Sequence, residues 1–158
     1  MADIKDPENT LIIETSQGTV TIELRPDLAP QHVARIKQLA REKFYDGIVF
    51  HRVIDGFMAQ TGCPHGRGTG GSKHGNLPAE FNNEPHMRGV CSMARASDPN
   101  SANSQFFICF GDATFLDRQY TVWGKVIEGM EAVDKLARGE PPRNPDKMIT
   151  VRVAADAA

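Results

Sequence analysis

Cysteine is scarce in this chain of 158 residues. The three present, Cys63, Cys91 and Cys109, are odd in number and far apart, which argues against a disulfide framework. Cys91 and Cys109 sit in apolar runs and read as small core hydrophobes. Cys63, His65, His74 and His86 match no recognised zinc spacing, so no metal is expected. Long apolar runs are also missing, and no segment approaches the ~20 residues that a membrane-spanning helix needs. The opening residues, Met1 to Glu8, are polar and lack the apolar core of a secretory signal, so the chain is expected to be cytoplasmic. Nor does either sign of charge dominate. Eighteen Lys and Arg against twenty Asp and Glu leave a net charge of −2, which gives no footprint for nucleic acid or an anionic membrane.

What is present describes an ordinary globule, 40% hydrophobic and 24% charged. The length predicts one domain over 1–158, with residues 1–9 as a loose N-terminal extension, and a monomer is expected. Residues 11–15 and 19–24, joined at Gln17-Gly18, read as a hairpin whose second strand turns Val20, Ile22 and Leu24 inward. Pro30 can open a helix, since its missing N–H would be unsatisfied there, and Val33, Ile36, Leu39 and Ala40 follow on one face. Further strands are predicted near 48–54, 57–62, 89–95, 105–110, 121–127 and 147–154. A second helix begins at Glu128 or Gly129 and is stopped by Gly139-Glu140-Pro141-Pro142. The stretch Cys63–Arg88 is rich in Gly, Pro, Asn and His and reads as surface loop. Many short strands with helices near the two ends predict a mainly β fold, a closed antiparallel barrel that leaves no exposed edge. Periodicity by itself leaves a sandwich open.

Three side chains stand out from this pattern. Strand alternation over 48–54 places Ile48, Phe50, Arg52 and Ile54 on one face and Val49, His51 and Val53 on the other. A guanidinium among large hydrophobes is costly unless it is paired or partly wet. Taken singly, Arg52 is an arginine whose stem lies on apolar surface while its head reaches water. Alternation also puts Gln60 beside Met58, and Gln105 beside Phe107 and Cys109, with Phe106, Ile108 and Phe110 opposite. One arginine, two glutamines and several apolar side chains together outline a largely apolar pocket with a few polar groups, as small-ligand and peptide sites require.

The runs Phe50-His51-Arg52-Val53-Ile54-x-Gly56-Phe57-Met58-x-Gln60 and Ser104-Gln105-Phe106-Phe107-Ile108 resemble the cyclophilin family of peptidyl-prolyl cis-trans isomerases. Gly68-Thr69-Gly70-Gly71, Ser92-Met93-Ala94, Phe115-Leu116-Asp117 and Gly124-Lys125-Val126-x-Glu128-Gly129-Met130 continue the likeness in family order, from about residue 10 to 153. Leu77-Pro78-Ala79-Glu80-Phe81-Asn82 and the short loops are similar to the compact bacterial-type members. The resemblance implies a closed eight-stranded antiparallel barrel capped by two α-helices. It also implies Arg52 as the catalytic arginine and Phe57, Met58, Phe107 and Leu116 as walls of a proline pocket. Gln60 and Gln105 would hold substrate carbonyls or orient Arg52, and Ala94 and Arg95 would offer backbone contacts to the peptide. Three groove positions depart from the commonest family pattern. Phe115 stands where many members have Trp, Tyr120 where many have His, and Arg95 where many have Asn. Phe115 has no indole N–H, which implies reduced affinity for cyclosporin-class ligands.

The residues suit that chemistry on their own terms. The sequence shows no Ser-His-Asp or Cys-His arrangement and no paired carboxylates in the apolar segments, so the expected reaction breaks no covalent bond and uses no cofactor. Rotation about an X-Pro amide faces a barrier of ~18–20 kcal/mol because resonance is lost. The twisted nitrogen regains a lone pair, and a fixed donor aimed at it binds the twisted form better than either planar form. Such a charge-assisted hydrogen bond contributes ~1.5–3 kcal/mol, and Arg52 is the candidate donor. The expected partners are proline-containing polypeptides whose isomerisation assists folding. Two other classes compete. A chaperone-like peptide-binding module would use the same groove but would need no donor at the prolyl nitrogen. A nucleotide-binding protein would use Gly66-Arg67-Gly68-Thr69-Gly70-Gly71, but Ser72-Lys73-His74-Gly75 after it is no helix to receive a phosphate.

Overall fold

The computed structural model describes residues 6–66 and 70–156. Clean period-two patterning gives the hairpin first. Strand β1, Thr10–Thr15, pairs with β2, Gly18–Leu24, with Thr15 opposite Gly18, and Val20, Ile22 and Leu24 are buried. Helix α1, Pro30–Arg41, starts on its proline and buries Val33, Ile36, Leu39 and Ala40. The remaining strands are β3 (Arg52–Ile54), β4 (Met58–Thr61), β5 (Val90–Met93), β6 (Phe106–Cys109), β7 (Val122–Glu128) and β8 (Met148–Val153). Helix α2 is a short Met130–Asp134 between the last two. Every strand pair is antiparallel, in the order β3-β4-β6-β5-β7-β2-β1-β8. The sheet curls around a core in which Tyr45, Phe106 and Trp123 meet edge to face, at ring separations of 5.5 and 5.3 Å. Trp123 is fully buried, a structural role.

The expected closure is corrected by the seam. β3 and β8 are the two ends of an open, curled sheet, and no regular ladder joins them among the described residues. Among the described residues only the segment before β3 reaches β8 and the residues leading into it: Gly47 N–H donates to Met148 O at 2.6 Å, Met148 N–H to Ile48 O at 2.8 Å, and Phe50 N–H to Asp146 O, just before β8, at 2.8 Å. β3 is three residues long, and its outer edge is taken by Gly139, which exchanges two 2.8 Å hydrogen bonds with Val53. A backbone edge that is already satisfied cannot also pair with β8.

The same seam breaks the alternation expected across 48–54. Phe50 and Val53 both lie in the main core, three residues apart, while Arg52 and Ile54 turn outward. Between Phe50 and Arg52 the chain is outside any ladder, so the two side chains do not share a face. The described part of the expected loose extension is docked. Pro7–Asn9 form a 3-10 turn, and Glu8 pairs with Lys37 at 3.1 Å and Arg41 at 2.8 Å. No helix among the described residues is long and apolar enough to cross a membrane.

Candidate active site

Side chains on the outer face of β3, β4 and β6 form a second, smaller apolar cluster. Met58, Phe107, Cys109 and Ala113 are its floor, and Ile54, Phe57, Ala94, Leu116 and Tyr120 pack around it. Alternation dictates this division: Ala59, Phe106 and Ile108, on the other face of the same strands, enter the main core. Register then aligns the site across four strands. Arg52 lies opposite Gln60, Gln60 opposite Phe107, and Phe107 opposite Ser92.

Over this floor lies a cavity of about 120 Å³. Arg52, Phe57, Met58 and Gln60 line one side, and Ala94, Arg95, Phe107, Leu116 and Tyr120 the other. All nine belong to the site read from the sequence. Its other two members lie alongside. Gln105 lines an adjoining polar cavity of about 320 Å³ that also touches Gln60, Ala94 and Arg95. Phe115 stands at the rim, 67% exposed, with its ring 5.6 Å from that of Phe57. The 3-10 turn Thr114–Leu116 carries Phe115 into solvent while Leu116 packs on the apolar cluster.

A chain of polar groups crosses the mouth. Arg52 Nε donates to Glu140 Oε1 at 2.9 Å, and Nη1 reaches Gln60 Oε1 at a long 3.4 Å. Gln60 Nε2 donates to Gln105 Oε1 at 3.0 Å, and Gln105 Nε2 to Gly70 O at 2.9 Å. Arg52 Nη2 has no partner among the described residues. Two departures from the family pattern pack on each other: the Arg95 guanidinium lies 4.7 Å above the Tyr120 ring, and Tyr120 meets Phe107 edge to face at 5.8 Å. Arg95 is anchored on backbone carbonyls, with Nε and Nη2 donating to Gln119 O at 3.0 and 2.7 Å.

Behind Phe107 the structure assembles what the sequence did not display, a serine, a histidine and an aspartate in sequence of contact. Ser92 Oγ is 3.0 Å from His86 Nε2, and His86 Nδ1 is 2.9 Å from Asp117 Oδ1. The His86 backbone N–H also donates to that oxygen at 2.7 Å. With Nδ1–H donating to Asp117, Nε2 is left to accept the Ser92 hydroxyl. Ser92 and His86 are buried at 0% and 1% exposure, so no substrate reaches the hydroxyl. The His86 ring stacks on Phe107 at 6.1 Å, and the network braces the cavity floor. Burial holds the His86 imidazole below its ordinary pKa despite Asp117.

His74 Nε2 lies 2.9 Å from a Glu42 oxygen, and no three metal-ligating side chains cluster among the described residues. The letter pattern Gly66–Gly71 falls partly on Arg67, Gly68 and Thr69, which lie outside the described residues. Ser72 to Asn76 form no helix after it. Sequence reasoning missed Glu140, 88 residues from Arg52 and legible only as part of a helix stop. It also missed the larger polar cavity, whose walls are loop residues such as Ser72, Asn76 and Asn103.

A curled antiparallel sheet thus carries a small cavity with Met58, Phe107 and Leu116 in its walls, and a guanidinium and two amides stand at its mouth. The family model for the cyclophilin type peptidyl-prolyl cis-trans isomerase matches residues 10–154. A probable peptidyl-prolyl cis-trans isomerase of Brucella suis is 54% identical, across 98% of this chain and 87% of that protein. The crystal structure of cyclophilin AquaCyp293 from Hirschia baltica superimposes with a TM-score of 0.90 at 34% identity, covering 97% of this chain and 76% of that one. A Cryptosporidium parvum cyclophilin solved in the presence of the dipeptide Ala-Pro gives a TM-score of 0.86 at 28% identity, covering 91% and 98%. The chain belongs to the cyclophilin family, and it is a peptidyl-prolyl cis-trans isomerase.

Proposed function

We propose that the 120 Å³ cavity receives the proline ring of an exposed X-Pro segment and that Arg52 supplies the hydrogen bond to the twisted prolyl nitrogen. The observation that carries this reading is the Arg52 guanidinium at the cavity mouth, held at Nε and Nη1 and with Nη2 unclaimed among the described residues. A pyrrolidine ring offers only apolar surface, which Met58, Phe107 and Leu116 match. Gln60 and Gln105, locked to each other, hold a fixed amide edge toward substrate carbonyls.

Arg52 has limits as a catalyst. An acceleration of ~10⁵ needs ~7 kcal/mol, more than the ~1.5–3 kcal/mol of one charge-assisted hydrogen bond. The balance comes from gripping one side of the bond while the other turns, in a groove drier than water. The substrates are proline-containing polypeptides, unfolded or flexible, and the protein acts as one domain, a monomer without a cofactor, assisting folding in the cytoplasm. Exchange NMR on an Ala-Pro-containing peptide tests the assignment. Arg52→Ala should lower turnover by about 10- to 100-fold, the worth of that bond. Peptide affinity should change far less, because the bond is made chiefly in the twisted state. A folded Arg52→Ala protein with near wild-type turnover removes Arg52 from the mechanism.

A further inference from the structure

We propose that Glu140 is a positioning residue for Arg52, delivered by a strap that takes the place of a barrel seam; this rests on the reading of Arg52 as the donor. The strap is three consecutive residues docked antiparallel along the outer edge of β3 and the turn after it. Arg138 Nε meets Asp55 Oδ1 at 3.1 Å, Gly139 exchanges its two 2.8 Å backbone bonds with Val53, and Glu140 meets Arg52 at 2.9 Å. Its first two residues are fixed independently of Arg52. The Arg138 guanidinium lies 4.4 Å over the Phe110 ring and donates to the carbonyls of Leu136 and Asp134. Gly139 has φ +142°, and a Cβ there would fall 2.6 Å from Pro142 Cα, so only glycine fits the bend that turns Glu140 toward β3.

What Glu140 does there follows from the other bonds of Arg52. An arginine head on a long flexible stem keeps one orientation only if its donors are held. Apart from Glu140, the guanidinium has a single partner among the described residues, Gln60, at 3.4 Å, beyond the usual ~2.7–3.2 Å of an N–H···O bond. Glu140 makes the shorter bond, and makes it at Nε. A carboxylate on Nη1 or Nη2 would compete with the prolyl nitrogen for the working donors. On Nε it fixes the plane of the fork and leaves Nη2 for the substrate. Closing the sheet with a β3–β8 ladder would have left no edge for this strap.

The test measures turnover and peptide affinity separately by exchange NMR on an Ala-Pro-containing peptide, with folding followed by thermal melting. Glu140 is half-exposed, so Glu140→Ala should melt close to wild type. Its turnover should fall about three- to fivefold, the scale on which a half-exposed ion pair acts, with affinity changed less than about 1.5-fold. Glu140→Gln keeps an acceptor for Nε and should retain more than half of wild-type turnover. In an Arg52→Ala background, Glu140→Ala should cost nothing further, because the residue acts only through Arg52. Unchanged or raised turnover in Glu140→Ala overturns the proposal. So does the same loss in the Arg52→Ala background, or a Gln variant as slow as the Ala variant. If Arg52→Ala alone turns over at the wild-type rate, the donor assignment fails first, and that single variant reports it whatever Glu140 does.

Discussion

Acidification should weaken the fold well before it touches the groove. Three histidines are buried: His32 at 0% exposure, His51 at 6% and His86 at 1%. All three are held below the ordinary imidazole pKa, chiefly by burial. Glu80, 2.6 Å from His32 Nδ1, and Asp117 beside His86 push the other way without winning. His51 has no carboxylate partner among the described residues and feels the neighbouring Arg52 charge in addition to burial. Because each folded-state pKa is depressed, the unfolded chain binds the extra protons once pH drops through about 6.5, and stability therefore falls toward acid. Above that value both states are neutral and the effect vanishes. Each histidine that stays neutral in the fold costs at most about 1.4 kcal/mol at pH 5.5, so the three together cost up to ~4 kcal/mol. At about 2–4 °C per kcal/mol for a chain of this size, melting should drop by up to ~8–16 °C between pH 7.5 and 5.5 and stay nearly flat from 7.5 to 8.5. His51→Gln should remove about a third of the drop. The same melting temperature at pH 5.5 and 7.5 would show that these imidazoles titrate alike in both states, and would refute the argument.

Turnover per folded molecule should vary little from pH 6 to 8, and should be unmoved by EDTA, since no step proposed for the groove needs a titrating base or a metal. Loss of activity with EDTA, restored by zinc, would mean that Cys63, His65 and His74 hold a metal after all. Phe115→Trp should tighten cyclosporin-class ligands by up to about 30-fold, through a new N–H donor and added ring area at a rim that is now 67% exposed. Peptide turnover should change less than about threefold, because the cavity lies deeper, between Met58, Phe107 and Leu116. Equal inhibition constants for the two proteins would place Phe115 outside the ligand site.

Where strands were paired on both sides, period two was enough to read them. Val20, Ile22 and Leu24 point inward as the alternation requires, and Phe106 and Phe107 go to opposite sides of β6, one to the core and one to the cavity. The cavity was legible for the same reason, since its floor is the outer face of β4 and β6. What failed was whatever depended on the seam. The alternation over 48–54 treats that stretch as one strand, but only Arg52–Ile54 is one, and the phase slips between Phe50 and Arg52. No local pattern announces such a slip, because it is imposed by what lies across the seam. Ser92, His86 and Asp117 were individually unremarkable residues in a strand, a loop and a turn, and only the fold brings them into contact.

The slip and the open seam have a joint consequence at the site. Had residues 48–54 run as one strand paired to β8, Arg52 would share a face with the buried Phe50, inside the barrel, where an unpaired guanidinium is costly. Breaking the ladder after Phe50 turns Arg52 to the outer face, above Phe107, and shortens β3 to three residues. The shortened edge still needs its backbone groups satisfied, and Gly139 does this with two hydrogen bonds. The residue after Gly139 then falls beside Arg52. The broken seam thus does two things: it places the cation at the cavity mouth, and it brings Glu140 within 2.9 Å of that cation's Nε.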